Sequence, residues 1–74
     1  MESREEFLVS MGAAIRKLRC EKNMSQAELA LVCEFEKASM SRIEAGKTNI
    51  TILTLQKISH ALNVHPTQLL QGNK

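Results

Sequence analysis

Side chains able to do chemistry are few in this sequence, and their spacing rules out most chemistries. Cys20, Cys33, His60 and His65 are the residues a transition metal would favour. The two histidines stand five positions apart rather than four, and the cysteines fall in other segments, so no metal site is expected. The cysteines read as free thiols, with a disulfide left open. The chain contains no Asp, which removes any Ser-His-Asp set, and no Gly-rich phosphate loop. No enzymatic activity and no cofactor are therefore expected. What remains is a band of polar and basic side chains, Glu36, Lys37, Ser39, Ser41 and Arg42, with Gln26 before it and Lys47 and Asn49 after it.

Those residues have to be positioned by helices. Pro66 is the only proline, and Gly12, Gly46 and Gly72 are the only glycines, so long stretches run without a breaker. A first helix is predicted from about Arg4 to Lys22, with Phe7, Met11, Ile15 and Leu18 on one apolar face. Gly12 reads as a close-packing point, and Asn23 can take the left-handed conformation that ends the helix. Ser25-Gln26-Ala27-Glu28 is a capping box opening a second helix that continues to about Cys33. A third spans about Glu36 to Ala45, with Met40 and Ile43 inward and Gly46 as its C-terminal cap. Lys47-Thr48-Asn49 is a polar loop. A fourth starts near Thr51, carries Leu55, Ile58 and Leu62, and ends at Asn63. A short fifth begins at Pro66 and runs to Gln71 with Leu69 and Leu70 apolar, and Gly72 to Lys74 are expected to fray. The second and third helices lie too close in sequence for an antiparallel pair. Leu29, Ala30, Cys33, Phe35, Met40 and Ile43 supply the apolar set that a tight crossing needs. The outer face of the third helix is then polar and free to meet a groove.

Bulk properties agree with an all-α reading. The chain has 74 residues, 43% hydrophobic and 24% charged, with Phe7 and Phe35 as its only aromatics. An aliphatic core of this kind suits helices better than a β-sandwich. Residues 1–74 are expected to form a single domain with its core at about 11–70. A domain of this size buries only about 60% of its unfolded surface. The net charge is +2, and five of the eight acids, Glu2, Glu5, Glu6, Glu21 and Glu28, fall in the first 28 residues. After Glu44 only Lys47, Lys57 and Lys74 carry charge, which leaves the C-terminal half mildly basic. The acidic start resembles no signal peptide and no run reaches membrane-spanning length, so a cytoplasmic protein without membrane contact is expected.

Ile15-Arg16-Lys17-Leu18-Arg19, Ser25-Gln26-Ala27-Glu28-Leu29-Ala30 and Ser41-Arg42-Ile43-Glu44-Ala45-Gly46-Lys47 together carry a resemblance. Asn49, Leu55, Lys57-Ile58, Ala61-Leu62 and Val64 continue it. The chain resembles the Cro/C1-type (Xre-like) helix-turn-helix family, which includes phage repressors and restriction-modification controller proteins. The likeness covers about residues 11 to 70. It implies a five-helix lambda-repressor-like fold and a sequence-specific, DNA-binding transcriptional regulator, repressor or controller, that reads a palindromic operator in double-stranded DNA through the major groove. Lys37, Ala38, Ser41 and Arg42 match base-reading positions, Arg42 suited to a guanine edge and Ala38 to a thymine methyl. Gln26 would bind a phosphate at the start of the second helix, with Lys47 and Asn49 holding the backbone from the loop. Arg19 and Glu44 match a partly buried ion pair.

Three positions depart from the family's pattern. Glu34 stands where Gly is usual, and a non-Gly residue in a left-handed turn costs on the order of 1 kcal/mol. Glu36 replaces the usual Ser or Thr. It favours the helix dipole but repels phosphates, so it is either a contact to a cytosine amine or a liability. Ile50 replaces the common Pro.

Val64, Leu69 and Leu70, with Ile52, either cap the core or form the interface of a homodimer; the dimer reading is adopted, with two recognition helices about 34 Å apart. Phe7 and Leu8 either extend that interface or pack back on the fourth helix. The competing reading is a helical protein-interaction module, such as an antitoxin that grips a partner protein.

Overall fold

The structure is a computed structural model that describes residues 3–70. Gln71 to Lys74, where the fifth helix was expected to end and the chain to fray, lie outside the described residues. Five helices follow one another: α1 (Arg4–Glu21), α2 (Gln26–Val32), α3 (Lys37–Glu44), α4 (Ile52–Leu62) and α5 (Pro66–Leu70). Among the described residues there is no strand, and the fold is all-α. No helix among them is long and apolar enough to cross a membrane.

Local sequence accounts for the helix starts. Ser25 accepts from the Glu28 amide while Glu28 accepts from the Ser25 amide, closing the expected capping box on α2. The same device opens α1, where Ser3 and Glu6 form a second box. Thr51 caps α4 by accepting from the Thr54 amide. Glu36 is the N-cap of α3 but makes no side-chain capping bond.

The helix ends share one solution. Asn23, Glu34, Gly46 and Asn63 all have positive φ, between 56° and 73°. In each case the next residue's amide reaches back five positions: Met24 to Arg19, Phe35 to Ala30, Lys47 to Arg42 and Val64 to Ser59. This pattern satisfies carbonyls that the helix leaves unpaired and turns the chain sharply. Asn and Gly tolerate the left-handed conformation; Glu does not tolerate it comfortably.

Every helix sends a fully buried side chain into one core: Ile15 from α1, Leu29 from α2, Met40 from α3, Ile58 and Leu62 from α4, and Leu69 from α5. Burying each such side chain is worth about 1.5–3 kcal/mol. On α1 the apolar face is narrower than its spacing suggested. Met11 and Ile15 are buried, Leu18 packs at the edge, and Phe7 is 38% exposed. Gly12 lies where α1 crosses α3, and a Cβ there would stand 2.5 Å from the carbonyl oxygens of both Ile43 and Glu44. Only a glycine permits that approach.

The placement of α5 divides the residues expected at a dimer surface. Leu69 is completely buried in the core of the protomer. Val64 is half-buried and packs against the same core. Of the three, only Leu70 presents substantial area, at 42% exposure. The physical reason is the rotation of α5. It turns Leu69 onto α1 and α4 and leaves its neighbour outside. Both cysteines are free, Cys20 exposed and Cys33 buried.

Candidate nucleic-acid interface

The corner between α2 and α3 is built from the turn Cys33–Glu36. Burial of Leu29, Ala30 and Cys33 on one side and of Met40 and Ile43 on the other fixes the crossing. With its inner face committed, α3 presents Lys37, Ala38, Ser41 and Arg42 to solvent. They occur at i, i+1, i+4 and i+5, which places them side by side on one strip of the helix. Lys37, Arg42 and Lys47 pair with no carboxylate among the described residues, so their charges face outward unneutralised.

A buried polar cluster holds α3 against α1 and α2. Arg19 Nε donates to Glu44 Oε2 at 2.7 Å and Arg19 Nη2 to Glu44 Oε1 at 3.1 Å. Arg19 Nη1 donates to the Met24 carbonyl at 2.7 Å. Gln26 Nε2 also donates to Glu44 Oε1, at 3.0 Å. The hydrogen bonds to Glu44 hold the Arg19 guanidinium above the usual arginine range against the opposing effect of burial. The carboxylate thus joins the end of α1, the start of α2 and the end of α3, and no buried side-chain polar atom among the described residues lacks a partner.

Gln26 is therefore partly committed. One Nε2 hydrogen is directed at Glu44, and the second hydrogen and the amide oxygen remain for another partner. Lys47 and Asn49 are exposed in the loop between α3 and α4. Asn49 and Arg42 line a common cleft of about 290 Å³, with Phe35, Ile43 and Ile50 as its apolar floor and Ser39, Thr48, Thr51 and Thr54 supplying hydroxyls. From the sequence, Thr51 reads as a cap, Thr48 as part of a polar loop, and Thr54 has no assigned role, because a hydroxyl's neighbours across a loop are not written in its spacing. Glu36 is exposed at the N-terminus of α3, beside Lys37.

Two features had no counterpart in the sequence reading. Leu31 and Val32 on α2 are 77% and 59% exposed. Lys57 on α4 lies 3.9 Å from the Glu34 carboxylate and over the Phe35 ring. Among the described residues no group of three or more His, Cys, Asp or Glu could hold a metal ion.

Two short helices meeting at a tight turn, the second with a seated inner face and a polar outer strip, define a helix-turn-helix protein. The Helix-turn-helix family pattern matches residues 15–69, and the chain belongs to that family of DNA-binding transcriptional regulators. The control protein C.BamHI of Bacillus amyloliquefaciens is 42% identical over 60 residues, covering 80% of this chain and 74% of that protein. The control protein C.MunI of a Mycoplasma species is 34% identical over 65 residues, covering 86% and 88% respectively. The restriction-modification controller protein C.AhdI of Aeromonas hydrophila superposes with a TM-score of 0.81 at 31% identity, covering 84% of this chain and 94% of that one.

Proposed function

We propose that this chain is a controller-type transcription regulator that binds a palindromic operator in double-stranded DNA as a homodimer, laying α3 in the major groove. The observation that carries the reading is the exposed strip Lys37, Ala38, Ser41 and Arg42 on a helix whose opposite face is locked into the core. Arg42 reads a guanine edge with its forked donors, Ala38 meets a thymine methyl, and Lys37 and Ser41 complete the base contacts. Gln26 gives its free Nε2 hydrogen to a phosphate, aided by the N-terminus of α2. Lys47 and Asn49 hold the backbone on the other side of α3. Glu36 stands exposed at the N-terminus of α3, where its charge lowers affinity for any site lacking a cytosine amine in reach.

The control-protein relatives extend the reading to regulation of a restriction-modification gene set. The dimer surface is drawn from residues that remain exposed. Phe7, Ile52 and Leu70 line one apolar cleft, at 38%, 79% and 42% exposure. A self-complementary contact there suits a two-fold dimer with recognition helices about 34 Å apart. The whole chain acts as one domain in the cytoplasm, where its DNA lies.

The test is selection of duplexes from a random-sequence pool by the full chain, followed by binding across a salt series. Enrichment of an inverted repeat, with affinity falling steeply as salt rises, is expected. Recovery of no common sequence overturns the reading.

A further inference from the structure

Three consecutive turn residues between α2 and α3 touch a single residue on α4. The Cys33 thiol donates to the Lys57 carbonyl at 3.8 Å. Lys57 Nζ lies 3.9 Å from Glu34 Oε1. The same ammonium sits 5.7 Å from the centroid of the Phe35 ring. Burial pushes the Cys33 thiol up from its ordinary range, and the nearby Lys57 charge opposes that push. Of the four left-handed helix ends among the described residues, only this one is occupied by neither Asn nor Gly, and an ion pair from α4 reaches it.

We propose that Lys57 is a positioning residue for the recognition helix, a latch that holds the strained Glu34 turn closed and so sets the angle at which α3 is offered to DNA. The reasoning is one of matched magnitudes. An exposed ion pair and an exposed cation–aromatic contact are each weak, and each would be negligible on a relaxed turn. Here they act on a backbone conformation that an L side chain other than Asn resists, and the two small gains are of the same order as that resistance. The ring under the Lys57 ammonium belongs to Phe35, whose amide closes the turn through its bond to the Ala30 carbonyl at 2.8 Å. Loosening this turn frees the N-terminal end of α3, where Lys37 and Ala38 lie, while the far end stays held by Glu44.

The proposal rests on the DNA-reading role given above, so its test has one arm that needs no DNA. Amide hydrogen exchange is followed at Phe35 in the full chain. Lys57→Met is expected to speed exchange there by about fivefold, and Lys57→Arg to restore it. In a Glu34→Gly background, where the left-handed turn is unstrained, Lys57→Met is expected to change the exchange much less. The second arm measures binding to the duplex selected by the wild-type chain. Lys57→Met is expected to weaken that duplex by about threefold to tenfold with an unchanged salt slope, because Lys57 touches no phosphate. Unchanged exchange at Phe35, or additive effects of the Glu34 and Lys57 substitutions, overturns the latch. A loosened turn with undiminished binding overturns its role in recognition. A salt slope reduced by about one charge makes Lys57 a phosphate contact instead. Failure of the wild-type chain to select any duplex sinks the DNA reading, and the exchange arm still decides the latch.

Discussion

Glu44 Oε1 accepts from Gln26 Nε2 at 3.0 Å while the same carboxyl group is forked by Arg19. The residue proposed to grip phosphate is thereby tied to the scaffold that seats the recognition helix. Arg19→Met leaves a carboxylate whose side chain is 3% exposed with Gln26 as its only side-chain donor. Breaking a buried pair from one side costs about 3–5 kcal/mol, a large part of a small domain's stability. Gln26→Ala removes one bond to a charged acceptor, worth about 1.5–3 kcal/mol, and weakens binding to all DNA sequences alike. Urea unfolding followed by helical circular dichroism measures both losses. An unchanged midpoint for Arg19→Met would refute the structural role of the pair.

Gly12 gives a sharper test of the α1–α3 crossing. On an exposed helix Gly→Ala stabilises by about 1 kcal/mol. At position 12 the added methyl meets two backbone carbonyl oxygens at 2.5 Å, and backbone cannot rotate away as a side chain can. Gly12→Ala is expected to destabilise by about 1–3 kcal/mol, with part of the helix-propensity gain already absorbed. Any net stabilisation in the same unfolding measurement would show that α1 and α3 do not meet this closely.

The parts of the fold readable from sequence are those set by near neighbours. Ser25 with Glu28, Asn23, Gly46, Thr51 and Pro66 each act on backbone groups within a turn, so their roles follow from local spacing. The Ser3–Glu6 box obeys the same local rule, and the helix it opens starts at Arg4 as expected. The contrast between Leu69 and Leu70 was not legible. Adjacent residues of equal hydrophobicity are separated only by how α5 rotates against α1 and α4, a tertiary fact. The link from Lys57 to Glu34 spans two helices and leaves no periodic trace. In the candidate site, the α3 strip was visible because inward Met40 and Ile43 dictate which residues point out. The tie between Gln26 and Glu44 was invisible, because a long polar side chain can turn toward either neighbour.

The burial of Leu69 and the exposure of Ile52 separate stability from association. Leu69→Ala empties a core position and is expected to cost about 2–5 kcal/mol of folding stability. Ile52→Glu alters a side chain that is 79% exposed, so the folded protomer should be unaffected while the paired state is lost. Sedimentation velocity over a concentration series, alongside unfolding, reads both. A dimer that survives Ile52→Glu at undiminished affinity would move the interface away from this cleft.

Stability at the start of α1 depends on pH with a defined sign. The Ser3 amide, and then the Ser3 hydroxyl, hold the Glu6 carboxyl below its ordinary value of 4.5. A carboxyl with a lowered folded value contributes stability that is present above 4.5 and is lost as pH falls through the folded value. The first turn of α1 is therefore expected to loosen in acid, below 4.5, and not on the alkaline side. Exchange rates of the Glu6 and Phe7 amides, corrected for the intrinsic pH dependence, report it. Glu6→Gln should remove the pH dependence in that window, and its persistence in that variant would assign the effect to another group.

Arg42 offers the most direct test of base reading, because its effect differs in kind from that of a backbone contact. A bidentate contact to guanine discriminates by about 1–3 kcal/mol against the wrong base. Arg42→Ala should therefore lose roughly ten- to hundredfold at the selected operator and relax preference at one position of each half-site. Gln26→Ala should instead lower affinity for operator and unrelated duplex by the same factor. Arg42 also borders the cleft shared with Asn49, so Arg42→Lys keeps the charge near the backbone while removing the fork. If Arg42 only supplied charge, Arg42→Lys would bind like the parent and Arg42→Ala would lose equally on every sequence. Binding measured on a panel of single-base operator variants decides between these outcomes.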